Sequence, residues 1–324
     1  MSNENLGYII AFLAMFVGNV STFPFTDAAR EWGSVAINHY RLIVAFIVLT
    51  LLCIALDKIS FVALFASPTL LEYAYLGSSG VLGLVIGDYF AFHSMAILGA
   101  RKSSIFTTLA PGSAFVFGYL LLSENLGFTG IIGIAISIGG MIWFLSGSGD
   151  AEDKVIGIHE YGSIRKGIMY GILSGLCQGF HLVMSKKGLI SSVPPISPVH
   201  ATWIRVFAAT IGYFSFTLIR GRLKKDVITV ILKKRHVIPK ATYSTIFGLV
   251  LSILLVMWSV ALCEVSVAQT ILSLGPIVVV PIAYVLYKER ITYHTMLAAI
   301  VSVSGVVILI WRENISGWIQ MHLH

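Results

Sequence analysis

Asp88 stands inside an otherwise apolar run, VLGLVIGDYFAFHSMAI at 81–97. An ionised carboxyl is costly in such surroundings, and a low dielectric favours the neutral acid. A group able to take up and release a proton there suits either proton carrying or contact with a solute amine. His93 follows five residues later, which turns it about 140° round a helix from Asp88, so the two are not expected to act as one pair. Asn19, Gln178, His181 and Gln269 are further polar groups in apolar runs, and Trp258 is favoured over Trp203 as part of a cavity wall. These residues are the candidates for substrate binding or coupling. The three cysteines, Cys53, Cys177 and Cys263, lie within or at the edge of apolar runs and read as small apolar residues. No spacing among them and the nine histidines suggests metal ligation, and no cofactor is expected.

The elements that must hold these groups are set by the solvent. Of the residues, 57% are hydrophobic and 11% charged, with a mean hydropathy of +0.88. Soluble domains carry about 25% charged residues. Apolar runs of roughly 18 or more residues, enough to cross about 30 Å of hydrocarbon, recur along the chain. Because lipid leaves backbone groups no partner, the spans are helices or a closed barrel. Continuous apolar runs exclude the alternating pattern of barrel strands. The expected fold is therefore an all-α polytopic membrane protein of ten spans, near 6–22, 35–56, 71–97, 103–122, 128–146, 167–185, 198–219, 243–263, 267–287 and 293–311. The opening MSNENLGYII has neither a basic n-region nor a cleavage site, so it is expected to begin the first span.

The chain also repeats itself. Pro111 and Pro276 lie 165 residues apart, and the same ungapped offset pairs Leu109 with Leu274, Tyr119 with Tyr284, Leu121 with Leu286, and Glu124 with Glu289. It further pairs Ser94 with Ser259, Ala96 with Ala261, Ser137 with Ser302 and Gly140 with Gly305. Two copies of one unit are implied. Residues 1–146 form the first five-helix repeat, 147–166 a polar linker, 167–312 the second repeat and 313–324 a tail. Five is odd, so if successive helices alternate in direction the two repeats are inverted about an axis in the membrane plane. That arrangement is associated with alternating-access carriers, whose sites lie near the midplane. Trp258 is preferred because the offset places it opposite His93, whereas Asp88 has Ile253 as its counterpart.

Within this frame Pro111 and Pro276 fall inside spans, where each removes a backbone hydrogen bond and kinks its helix. Such breaks either line a cavity or shape packing. Pro281 adds a second break to the ninth span alone. Gly167, Gly171, Gly175 and Gly179 recur at every fourth residue and read as a close-packing face, as do Gly77, Gly80, Gly83 and Gly87 in the third span. Arg41 and Arg205, near span starts, read as snorkelling anchors, and Glu124 and Glu289 as local caps or pairs.

Each half resembles the EamA-type unit of the drug/metabolite transporter superfamily. The resemblance rests on an arginine near the start of the second helix (HYRLIVAF at 39–46, WIRVFAAT at 203–210), a glycine-rich third helix, a Leu-x-Pro fourth helix, a polar turn with Glu, and a last helix rich in small residues. It implies a secondary carrier that moves, often outward, a small metabolite such as an amino acid or related polar compound through a central cavity. Asp88 departs from the symmetry of the two halves. The partners expected are a small solute, the lipid bilayer and a proton gradient, and the expected place is the cytoplasmic membrane.

Other classes fare less well. Gly87-Asp88 is similar to the Gly-x-Gly-Asp stretch of intramembrane aspartyl proteases, but position 85 is Val and every other aspartate lies in a loop or at a span end. That chemistry needs two carboxyls sharing a proton. No HExxH, GxSxG or P-loop stands in for it, so the chain is not expected to be an enzyme. A non-transporting membrane scaffold is the remaining alternative, and it would be indifferent to Asp88→Asn. The basic segment RGRLKKDVITVILKKRHVIPK at 220–240 suits an anionic membrane face; between two spans it is not expected to bind nucleic acid. Odd-numbered loops carry sixteen Lys and Arg against four on even loops and tails, which puts the termini outside, whereas the resemblance implies termini inside.

Overall fold

Hydrocarbon requires the backbone to satisfy itself, and these runs do so as helices. The computed structural model describes residues 3–98, 103, 105–147, 163–219, 221, 227–278 and 293–316. In chain order its helices are α1 (Asn3–Gly33), α2 (Val35–Leu56), the short α3 (Phe61–Ala66), α4 (Leu70–Leu98), α5 (Ile105–Leu122), α6 (Gly127–Gly147), α7 (Ile164–Leu189), α8 (Pro198–Ile219), the short α9 (Thr229–Lys233), α10 (Arg235–Leu262), α11 (Val265–Val278) and α12 (Tyr293–Ile310). Among the described residues nine helices are long and apolar enough to cross a membrane, and α11 is shorter. The rest of the expected ninth span, with Pro281 and Glu289, lies outside the described residues, as does most of the expected linker.

Two boundaries differ from the sequence reading. The first helix does not stop near residue 22 but continues through a turn at Ser21 to Gly33. Pro24 is tolerated because it lies in the first turn after Ser21, where an N–H has no intrahelical acceptor to find. Gly33 then ends the run with φ 79° and ψ 157°, a conformation open to glycine. Similarly, α10 begins at Arg235 rather than 243, with Pro239 in the first turn of its α-helical part.

The chain divides into two compact units, one of Met1–Val85 with Met184–Leu262, the other of Ile86–Val183 with Cys263–His324. Each unit therefore takes helices from both sequence halves. In the first, α2 and α8 run antiparallel. Trp203 Nε1 donates to Thr50 Oγ1 at 2.8 Å, Phe46 packs on Phe207 at 5.8 Å, and His39 meets Phe214 at 4.6 Å between ring centroids. With Arg41 aligned to Arg205, His39 corresponds to Trp203 and Thr50 to Phe214. The two contacts thus exchange equivalent positions, as a local two-fold axis across the helix pair requires. A second cluster joins Ala28, Trp32, Ala36 and Ile37 to Val237 and Ala241, and Trp32 Nε1 donates to the Lys234 carbonyl at 2.9 Å.

The second unit shows the same reciprocity between α6 and α12. Ser302 Oγ donates to the carbonyl of Ser137, its counterpart 165 residues earlier, at 3.0 Å. A methyl group added to Gly140 would lie 2.5 Å from Ser302 N, and one added to Gly305 would lie 2.4 Å from Ser137 N. Gly140 and Gly305 are themselves counterparts, so each member of one pair faces the other pair's partner. Thr129 bonds Ser316 and Trp143 bonds His294, which fixes the pair as antiparallel.

The glycine row of α7 is a packing face in the same unit. Added methyl groups on Gly171 and Gly175 would lie 2.3 Å from the Phe106 ring and 2.2 Å from its carbonyl oxygen, and one on Gly179 would lie 2.4 Å from the Ala110 carbonyl oxygen. Ser113 Oγ closes the seam by donating to the Leu176 carbonyl at 2.8 Å.

Two charged groups behave differently from the sequence reading. Arg205 does not snorkel: it is buried, and its Nη1 donates to Met257 Sδ at 2.9 Å. It sits two turns into α8, and glycine at position 80 lets α4 approach the Arg205 backbone, where a methyl group would lie 2.1 Å from its carbonyl oxygen. Glu124 caps a helix distant in sequence. Its carboxylate accepts from Val265 N at 2.9 Å, Ser266 N at 3.4 Å and Ser266 Oγ at 3.1 Å, at the N-terminus of α11, where backbone N–H groups need acceptors. Glu264, the residue before α11, pairs with the buried Arg312.

Two stability changes follow. Gly179→Ala is expected to destabilise by about 1–3 kcal/mol through overpacking, whereas Gly139→Ala, with nothing within 4 Å of the added methyl, is neutral. Melting in detergent distinguishes them, and equal behaviour would contradict the packing of α7. Glu124→Ala leaves the buried donors of α11 without an acceptor and is expected to cost about 1–3 kcal/mol by the same measurement.

Candidate functional site

The geometry around Asp88 begins with the backbone. Leu82–Gly87 of α4 forms a π-helical turn, and α-helix resumes at Asp88. Thr245–Leu251 of α10 is π-helical as well, and the repeat offset aligns Gly83 with Gly248 inside the two segments. Glycine weakens the α-helical preference at each place, and single π turns are enriched at functional positions. The α4 segment contains the point where the chain passes from one compact unit to the other, Val85–Ile86.

Asp88 is half-buried and ten residues, about 15 Å, from the end of α4 at Leu98. Ser174 is ten residues from the start of α7 at Ile164 and stands level with it: Ser174 Oγ donates to the carbonyl of Gly87 at 3.2 Å. Ser174 belongs to a row. Tyr170, Ser174, Gln178 and His181 follow one another at intervals of four, four and three residues on one face of α7. The row lies one position before the glycines at 171, 175 and 179, so the helix carries a packing face and a polar face side by side. Tyr170, Gln178 and His181 are half-buried and Ser174 is buried.

Contacts tie this row together and to α4. His181 Nε2 and Gln178 Oε1 are 3.2 Å apart, with the imidazole N–H as donor. Tyr170 stacks on Phe90 at 5.7 Å and meets the His93 ring edge-on at 5.7 Å and Tyr89 at 6.5 Å. Tyr89 and His93 are 4.0 Å apart. His93 Nδ1–H donates to the Tyr89 carbonyl at 2.8 Å.

The structure thus joins Gln178 with His181 and gathers His93 with Tyr89, Phe90 and Tyr170, while Asp88 and His93 occupy different faces of α4. Asn19 is half-buried, and its Nδ2 donates to the Met15 carbonyl of its own helix at 2.8 Å. Gln269 is half-buried on α11 and Trp258 half-buried on α10 of the first unit, whereas Trp203 is core. Pro111 is not a mid-helix kink: it lies in the first turn of the α-helical part of α5, after a 3₁₀ turn at Ile105–Thr108, where a missing N–H is tolerated. Pro276 follows a turn at Ser273–Leu274 that interrupts α11, where Ile277 N reaches back only to Leu274 O at 2.9 Å. Sequence reasoning missed Tyr170 and Ser174, whose signal was their four-residue spacing ahead of Gln178. Among the described residues, no group of three or more His, Cys, Asp or Glu could hold a metal ion.

Comparison with known proteins places this architecture. A crystal structure described only as that of a protein shares the fold with a TM-score of 0.70 at 12% identity, over 94% of this chain and 97% of that one. No curated protein matches the sequence. The EamA-like transporter family matches residues 5–146 and 165–311, one match for each half. With two repeats, multiple membrane-capable helices and matches over most of its length, the chain belongs to the EamA-like transporter family.

Proposed function

We propose that this protein is a secondary carrier that exports a small polar metabolite across the cytoplasmic membrane by alternating access, with Asp88 the ionisable group on its path. The observation that carries this reading is the reciprocal antiparallel packing, in which Ser137 meets Ser302 and Gly140 and Gly305 each face the other repeat's serine. A seam of this kind is unchanged when the two repeats exchange roles, so it can serve as a fixed axis about which other helices take one arrangement or its symmetry mate at similar energy, the requirement for opening one site to either side in turn. Departures from symmetry then mark the chemistry, and Asp88, opposite Ile253, is the largest of them at membrane depth.

No nucleotide-binding motif stands in the sequence, so a gradient of protons or of the solute itself supplies the driving force. Asp88 takes up and releases the proton in this scheme. Gln178, His181, His93, Trp258, Asn19 and Gln269 remain the candidates for contact with solute, and the break before Pro276 a candidate for gating.

The test is flux in proteoliposomes against a panel of labelled metabolites, with and without a pH gradient. Flux is expected to rise with the gradient and to fall by about tenfold or more in Asp88→Asn, the loss of a charged partner being worth at least about 1.4 kcal/mol. Gradient-independent flux equal in both proteins would contradict the role of Asp88.

A further inference from the structure

The basic segment at 220–240 takes no part in the path proposed above, and its described cations stand at one end of the first unit. Residues 5–26 of α1 and 241–262 of α10 contain no Asp, Glu, Lys or Arg, and each run is about 33 Å of helix, close to the thickness of the hydrocarbon. The two runs end together: Asp27 and Lys240, the first charges beyond them, are 3.8 Å apart. From that pair the end of α1, α9 and the start of α10 continue into the headgroup layer. Trp32 and Tyr40 meet edge-on there at 5.1 Å, as aromatic side chains gather at a membrane interface.

The basic side chains of this corner divide into two kinds. Three hold it together: Lys240 pairs with Asp27, His236 Nε2 lies 2.6 Å from the Glu31 carboxylate, and Lys234 Nζ donates to the Glu31 carbonyl at 2.6 Å, in the last turn of α1 where carbonyls need donors. Both carboxylates of the corner are engaged in this way. Lys233 and Arg235, by contrast, are exposed and make no ion pair among the described residues. Beside them Ile228 and Leu232, one helical turn apart, are 47% and 53% exposed, while Val230 and Ile231 pack against the Trp32 cluster. Large apolar side chains exposed next to unpaired cations suit a segment lying in the membrane interface, with its apolar groups at the acyl boundary and its cations at the phosphates.

We infer that α9 and the first turn of α10 form a binding site for an anionic phospholipid, with Lys233 and Arg235 on the headgroup phosphate and Ile228 and Leu232 against the acyl chains. Charge complementarity selects this lipid. A zwitterionic headgroup brings its own cation to the phosphate, whereas an anionic one brings negative charge that Lys233 and Arg235 balance. The fold prepares the site, because the Trp32 indole donates to the Lys234 carbonyl at 2.9 Å and so fixes the break between α9 and α10 that Lys233 and Arg235 flank. Such a site is independent of the carrier reading.

The experiment titrates the full chain in detergent with phosphatidylglycerol, phosphatidylcholine or sodium phosphate, reading bound lipid by native mass spectrometry and the melting midpoint by fluorimetry. Phosphatidylglycerol is expected to bind more tightly than phosphatidylcholine and to raise the midpoint. Lys233→Gln with Arg235→Gln weakens its binding by about 25-fold, each cation near an anionic headgroup being worth about fivefold. Lys233→Arg with Arg235→Lys keeps the affinity, as does Arg165→Gln with Lys166→Gln, which removes two exposed cations of the second unit. The midpoint without lipid stays at the wild-type value in each variant, since all four side chains are exposed, and this separates lost binding from lost folding. Equal binding of the two lipids, or undiminished binding of phosphatidylglycerol when Lys233 and Arg235 are neutralised, overturns the site. An equal loss in the Arg165 and Lys166 variant reduces it to general surface charge, and stabilisation by sodium phosphate equal to that by phosphatidylglycerol makes a soluble anion the occupant; either result overturns the assignment to lipid.

Discussion

Hydrocarbon offers no hydrogen-bond partner, and the placement of most polar groups among the described residues answers to that constraint. Backbone groups are satisfied within helices. Serine and threonine hydroxyls mostly return to a carbonyl of their own helix, as Thr50 does to Phe46 and Thr202 to Pro198. Where a hydroxyl crosses to another helix, it marks a seam: Ser302 to Ser137, Ser113 to Leu176, Ser252 to Ala14. Because apolar side chains gain little from one another in lipid, these seams depend on close approach, and glycine provides it at Gly18, Gly80, Gly140, Gly179 and Gly305. The fold is held by surfaces that fit rather than by a hydrophobic drive.

Such seams also give the protein its symmetry. In the second unit the exchange between Ser137, Ser302, Gly140 and Gly305 leaves distances to the facing backbone of 2.5 and 2.4 Å for an added methyl, nearly the same environment twice. In the first, His39, Thr50, Trp203 and Phe214 repeat the pattern with aromatic rings. Against that background the unsymmetrical groups are informative. Asp88 and the polar row of α7 have no equivalents of like chemistry, whereas the buried Arg205 and the Glu124 cap are engaged in packing and helix ends. Charge at a helix terminus or beneath a packed face holds structure, as the Glu124 cap and the buried Arg205 do.

Much of the architecture was legible in the sequence, because apolar run length and a fixed repeat offset are direct physical signals. Nine spans among the described residues and the internal duplication came from those two signals. What escaped reading depended on neighbours. Arg205 looked like an anchor because its place near a helix start allows snorkelling, yet Gly80 on another helix creates the packing that buries it. Glu124 looked like a local cap because the acceptor need of α11 lies 141 residues away. Pro111 looked like a kink because nothing local announced the 3₁₀ turn that starts the helix beside it. Tyr170 and Ser174 were passed over since each alone is ordinary; only their common face with Gln178 and His181, and the bond from Ser174 to Gly87, make them part of a site.

If the protein is a carrier as proposed, the polar face of α7 borders a water-accessible path that opens to each side of the membrane. The most direct measurement replaces Cys53, Cys177 and Cys263 with alanine or serine, introduces Gln178→Cys, and applies a membrane-impermeant thiol reagent to sealed vesicles from one side and then from the other. Reaction is expected from both sides, the hallmark of a site exposed alternately. A cysteine at 178 that resists the reagent from both sides while a lipid-soluble thiol probe labels it would place the row against lipid and contradict the alternating exposure of this face.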